Sequence, residues 1–248
     1  MSSTALIFSP HPDDECIVGG LALRLARESG WNILDVAVTL GSRKQRRTAR
    51  LNELKSACRL LHFGLLVAGE RGLESINSEA RINQRRNWKR STAVIMDILR
   101  RTQPRVVFVP HADDGHPTHI GTHWLVMDAL KAMPRGFQCS VVETEFWRQM
   151  QNPNLLVGLK SAAVAELMAA LSLHAGEVRR NPYHLRLPSW MMDNVRRSEI
   201  VFGGGSAMPD IPFGVLHRLR EWKNGKFVDA IPKRKFLSCE ANPALLFP

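Results

Sequence analysis

Apolar positions in the first half of the chain switch repeatedly between two periods. Thr4–Ser9 is a short apolar run stopped by Pro10, which predicts a buried strand. Glu15–Glu28 carries apolar residues at helical spacing and ends before Gly30, which predicts a helix. Ile33–Leu40 alternates, is rich in β-branched residues and stops at Gly41, as a second strand would. Thr48–His62 and Trp88–Arg101 are helical in period, the latter closed by Pro104. Arg105–Val109 reads as a third strand, Pro117–Met133 as a helix with proline in its first turn, and Ser140–Thr144 as a fourth strand. Strands alternating with helices imply βαβ units, hence an α/β fold around a mostly parallel sheet.

Past about residue 150 the pattern loosens. Ser161–Ala175 is a helix by its Ala and Leu spacing. Asn181-Pro182, Leu187-Pro188, Gly203–Gly205, Pro209 and Pro212 then read as loops. Val215–Trp222 and Phe227–Ile231 flank an Asn-Gly step and predict a hairpin. No repeat or low-complexity linker divides the chain. The expected organisation is one domain over residues 1–248, with a core over about 1–175 and an irregular annex over about 176–248.

Composition changes the picture in one respect. The chain has 248 residues, 44% hydrophobic and 23% charged, as a soluble globular protein would, but its formal net charge is +11. Such an excess suggests an anionic partner, or else solvated helix faces. The charge gathers in Arg43, Lys44, Arg46, Arg47 and Arg50, and again between Arg81 and Arg101. Nucleic acid is disfavoured as the partner, because no zinc-finger pattern occurs and one Tyr with scattered Phe makes no base-stacking platform. The four cysteines are widely spaced and form no CxxC pair, which fits a reducing compartment. With no secretory h-region and no apolar run near the ~20 residues a bilayer requires, the expectation is a cytoplasmic protein without membrane insertion.

The chemistry sits where strands end. In an open parallel sheet ligands bind beyond the carboxyl ends of the strands. The first strand runs into His11-Pro12-Asp13-Asp14-Glu15, with neither GxGxxG nor a P-loop at that turn. The third strand ends in His111, Asp113, Asp114, His116, His119 and His123. Each cluster alone is equally consistent with a helix cap or a polar loop. Two nitrogen and oxygen clusters at one sheet edge, however, can converge on one ion.

These residues resemble a known family. PHPDDE at 10–15, HPTH at 116–119 and Arg-x-x-Glu at 50–53 are similar to the LmbE-like, or N-acetylglucosaminylphosphatidylinositol deacetylase (PIG-L), family. The resemblance covers roughly residues 4–175. It implies a Rossmann-like three-layer sandwich and a zinc-dependent N-deacetylase of amino-sugar derivatives. Carried over motif by motif, His11, Asp14 and His119 would hold the metal, three protein ligands leaving one position open as catalytic zinc sites do. Two nitrogens and a carboxylate also suit Fe(II). Asp13 would be the general base, and a protonated His116 would stabilise the oxyanion.

Some assignments stay open in the sequence. His123, one helical turn past His119, is an alternative ligand or a packing residue. Many family members have Asp between the two histidines of HPxH. Here Thr118 stands there, so Asp113 or Asp114 would have to support His116. Arg50 is either a substrate-binding guanidinium facing the pocket or an i,i+3 partner of Glu53. Trp147, Arg148, His174 and His184 line the substrate side or simply pack. The expected substrate is a small N-acetylated sugar or conjugate, anionic if the basic cluster serves it. Hydrolysis of another amide or ester, and a metal-stabilised protein binding an anionic polymer, are the alternatives. The annex could serve as a lid or as a contact in a homo-oligomer.

Overall fold

A computed structural model describes residues 2–205, 208–228 and 235–247. The first strand, β1 (Thr4–Ser9), pairs in parallel with β2 (Asn32–Ala37) on one side and with β4 (Val106–Pro110) on the other. A four-residue β3 (Gly64–Val67) extends the sheet beyond β2, and β5 (Cys139–Thr144) follows β4. These five strands are parallel. The sheet then reverses: β7 (Phe213–Lys223) runs antiparallel between β5 and β6 (Leu155–Leu159). The short β8 (Lys226–Val228) and β9 (Phe236–Leu237) pair with β7 and β6. The order β3-β2-β1-β4-β5-β7-β6-β9 makes one mixed, mostly parallel sheet.

Alternation along β1 separates two cores. Ala5 and Ile7 point to one face, where α2 (Gly20–Ser29), α3 (Arg47–Leu61), α7 (Ser161–Ser172) and α9 (Tyr183–Arg196) pack. Leu6 and Phe8 point to the other, against α5 (Arg85–Thr102) and α6 (Pro117–Ala132). Period-2 side-chain placement thus yields three layers, helix, sheet and helix. Short helices α1 (Asp14–Ile17), α4 (Ser78–Asn83), α8 (Ala175–Val178) and α10 (Glu199–Phe202) complete the set. Among the described residues no helix is long and apolar enough to cross a membrane.

Three expectations need correction. The helix predicted over Glu15–Glu28 is two helices, broken at Gly19. A Cβ there would lie 2.2 Å from the Glu15 carbonyl oxygen, so only glycine lets the chain turn so tightly. The loops read at Leu187-Pro188 are the helix α9, with Pro188 inside it. Its buried Tyr183, Leu187, Met191 and Val195 recur every fourth residue, and burial of that stripe outweighs the helix-breaking proline. Finally, β3 and β6 are strands too short and too uniformly apolar for periodicity to reveal. The hairpin turns at Asn224 and Gly225, both with positive φ (55° and 78°), as a primed Asn-Gly turn requires. The strand predicted to run to Ile231 is described only to Val228; residues 229–231 lie outside the described residues.

Arg24 of α2 ties the end of the chain to this frame. Its guanidinium is buried, pairs with Glu28 and donates to the carbonyls of Gly158, Ser238, Cys239 and Ala241 at 2.7–3.3 Å.

Candidate metal centre

In the order β2-β1-β4-β5, connections leave β1 in opposite directions, which makes the β1–β4 boundary a switch point with a crevice at its carboxyl end. Both sequence clusters open into that crevice. The turn after β1 carries His11, Asp13 and Asp14. The loop after β4 carries His111 to His116 and leads into α6 with His119 in its first turn.

Asp14 lies at the centre. Its Oδ2 is 3.5 Å from His11 Nδ1 and 3.3 Å from His119 Nε2, and it accepts the His11 amide at 2.8 Å. Burial alone would raise the Asp14 pKa, but the adjacent His119 and His11 hold it well below the usual carboxylate range. His119 responds in kind: burial opposes its charge, yet Asp14 and Asp114 push its pKa up to about 10. Its other ring nitrogen, Nδ1, faces Asp114 Oδ1 at 3.2 Å. His119 Nε2 is buried without a hydrogen-bond partner among the described residues. A buried imidazole nitrogen left unpartnered beside a buried carboxylate, and oriented from behind by a second carboxylate, fits a divalent cation. The ring nitrogens of His11, His116 and His119 also lie within 4.8 Å of one another, so the histidines offer a second, overlapping triad with His116 in place of Asp14. Asp14, a buried carboxylate between two imidazoles, could supply negative charge that a divalent ion would balance.

His116 caps α6: its Nδ1 accepts the Thr118 amide at 3.2 Å. That bond leaves the proton on Nε2. Burial, followed by the charges of His11 and His119, lowers its pKa to about 4, and among the described residues no carboxylate forms an ion pair with it. Asp114, a candidate to support His116, meets His119 instead. The second candidate, Asp113, donates its amide to His111 Nδ1.

Asp13 lies in the turn after β1, next to Asp14. Burial and the charge of Asp14 raise its pKa well above the usual value, against the pull of Arg50. Arg50 donates to the Pro12 carbonyl at 2.6 Å and lies 3.5 Å from Asp13 Oδ1 and 3.9 Å from Glu177 Oε2. Glu53 pairs with Arg46 and accepts the Gly176 amide, so it is not the partner of Arg50. His123 is not among the clustered imidazoles; its Nδ1 bonds the Pro110 carbonyl at 2.8 Å, and burial lowers its pKa to about 4.

His11, Asp13, Asp14, Arg50 and His116 line a cavity of about 670 Å³, large enough for a sugar conjugate. Trp147, half exposed, stacks on His116 with ring centroids 5.5 Å apart and forms one wall with Phe146 and Tyr183. Lys44, Arg47 and Arg180 line the rim, but each faces a carboxylate: Lys44 and Arg47 meet Glu74, and Arg180 meets Glu177. Of the other residues singled out in the sequence, Arg148 lines a smaller cavity of about 240 Å³ that shares Phe146 and Trp147. His174 is buried behind the Asp13 turn, bonded to Glu15. His184 is not among the residues lining either cavity. Glu177 and Tyr183, which do line the larger one, lie past the residues that carry the motifs and gave no signal in the sequence.

Residues 6–130, about half of the chain, match the family PIG-L, GlcNAc-PI de-N-acetylase. The chain belongs to this family. No curated protein matches it significantly in sequence. Among solved structures, it is similar to N,N'-diacetylchitobiose deacetylase from Pyrococcus horikoshii, at TM-score 0.64 and 18% identity over 90% of this chain and 85% of that one. A deacetylase of the teicoplanin biosynthesis pathway, solved with teicoplanin, is similar at TM-score 0.64 and 15% identity, covering 92% and 100% of the two chains. GalB, the 4-carboxy-2-hydroxymuconate hydratase of Pseudomonas putida KT2440, is also similar, at TM-score 0.64 and 18% identity over 88% and 96%. At these identities the likeness concerns the fold. LmbE-family deacetylases are metal-dependent hydrolytic enzymes that act on N-acetyl sugars.

Proposed function

We propose that this protein is a zinc-dependent N-deacetylase that hydrolyses the acetamide of a small N-acetylated amino sugar or its conjugate. The observation that carries the reading is the buried Asp14 carboxylate between His11 and His119, next to a second carboxylate, Asp13, whose pKa is raised. His11, Asp14 and His119 would hold the ion; Fe(II) is the other metal this donor set accepts. When bound, the ion supplies Lewis-acid polarisation of the acetamide carbonyl and of the attacking water.

The side chains supply the rest. Asp13 takes a proton from the attacking water. It then returns that proton to the departing amine. His116, neutral and with its proton on Nε2, donates a hydrogen bond to the oxygen on which charge develops. The Thr118 amide on Nδ1 supports this neutral form in place of the protonated His116 that the family motif implies. Trp147 and Tyr183 offer faces on which the apolar side of a sugar ring can lie.

Arg50 is assigned to holding the Asp13 turn, because its strongest contact is the Pro12 carbonyl. With the rim cations each facing a carboxylate, the cavity favours a neutral sugar over a phosphorylated one. The hydratase with a similar fold and the alternative of another amide or ester are separated from deacetylation by the product. Asp13→Asn should keep the metal and the fold yet lower kcat by ~10²–10⁴, the usual worth of a general base. Wild-type turnover in that variant would remove Asp13 from the mechanism.

A further inference from the structure

Five non-glycine residues among those described have positive φ. Four lie at 44–56°, near the left-handed helical minimum, but Asp13 lies at 115°. A backbone so far from any favoured region persists only where its surroundings over-determine it. Here the peptide group joining Pro12 to Asp13 is held at both ends. Its carbonyl accepts from Arg50 Nη2 at 2.6 Å, and its N–H donates to Glu15 Oε2 at 2.9 Å.

Each of those two side chains is held in turn by one short segment. His174 Nε2 donates to Glu15 Oε1 at 2.8 Å, and both residues are wholly buried. Glu177 Oε2 lies 3.9 Å from Arg50 Nη2. The Glu177 amide donates to the His174 carbonyl at 2.8 Å, so the two arms belong to one rigid turn at α8. Burying a Glu–His pair costs desolvation that an apolar pair would avoid, so packing alone does not account for it. What the pair does is fix the carboxylate that captures the Asp13 amide.

We propose that His174 and Glu177, acting through Glu15 and Arg50, brace the Pro12–Asp13 peptide and thereby aim the Asp13 carboxylate. They are positioning residues for the reaction. Asp14 is held independently by the His11 amide, so losing the brace should misdirect the base and leave the ligand in place. The role given to Asp13 rests on the deacetylase reading; the brace itself does not.

Two substitutions at His174 test the first arm. His174→Leu fills the space without a donor, while His174→Gln places an amide N–H where Nε2 stands. In the Leu variant, zinc content should match wild type and hydrogen exchange of residues 10–18 should quicken. Its kcat for acetate release should fall roughly ten- to a hundredfold, with KM within about twofold. The Gln variant should restore both exchange and kcat. Glu177→Gln keeps the side chain's size and removes only its charge, so it tests the second arm and should lower kcat with KM similarly unchanged. Unchanged exchange in the Leu variant, loss of zinc in step with activity, or a Gln variant as impaired as Leu would each overturn the brace. Wild-type kcat in Glu177→Gln would overturn its second arm. If the wild type releases no acetate, the deacetylase reading fails, and the exchange comparison still decides the brace.

Discussion

His119 is held as a metal ligand would be. Its Nε2 faces Asp14, and Asp114 stands behind Nδ1 at 3.2 Å. A carboxylate in that place fixes the ring and raises its basicity, and such partners typically contribute ten- to a hundredfold in metal affinity. Asp114→Asn should therefore weaken zinc binding by roughly that factor in a chelator competition. Affinity unchanged from wild type would mean that Asp114 serves only the Phe146 amide, which it also accepts at 3.2 Å. The residue types at the site were legible in the sequence, because imidazoles and carboxylates at two strand ends have few other uses in that pattern. Their pairing was not. Whether Asp114 meets His116 or His119 depends on how the loop after β4 folds back, and no spacing rule states that.

Elements were legible where a period ran long enough to count. The helices α3, α5 and α6 lie within a few residues of the apolar pattern that predicts them. The helix α9 was hidden by two prolines, although the stripe Tyr183, Leu187, Met191 and Val195 was present in the sequence. That stripe seats α9 against β7 and α7 and places Tyr183 at the cavity. Leu187 is 1% exposed, so Leu187→Ala should cost about 2–5 kcal/mol in denaturant unfolding, as truncations of buried leucines do. A loss below about 0.5 kcal/mol, the range of surface substitutions, would show that α9 is not seated as described. The strand β7 was anticipated in outline, but not its place between β5 and β6. Antiparallel insertion of a late strand is set by long-range pairing, which local pattern does not encode.

For the molecule as a whole, buried histidines make stability depend on pH. Burial lowers the pKa of His217 from 6.5 to about 4, with its Nδ1 against the Glu143 carbonyl. The folded pKa lies below the unfolded one, so the unfolded chain takes up the proton first. Stability is full above about pH 6.5 and falls as the pH drops toward 4, by up to roughly 3 kcal/mol for a shift of this size. His217→Gln should flatten that acid loss in the metal-stripped protein when unfolding free energies are compared at pH 7 and pH 5. Parallel losses in both proteins would place the acid sensitivity elsewhere.

The net charge of +11 has a different meaning at this level. At the cavity rim it is answered by carboxylates, whereas along α5 Arg85, Arg86, Lys89 and Arg90 are exposed. The basic surface along α5 is therefore separate from the site. The most direct test is acetate release from a panel of N-acetyl sugars by the purified, zinc-loaded protein, measured beside His119→Ala. We expect acetate from at least one sugar, its loss on chelation, its return with zinc, and neither metal nor activity in the variant. Fully metal-loaded protein that releases no acetate from any sugar, or release that survives in the metal-free variant, would contradict the account.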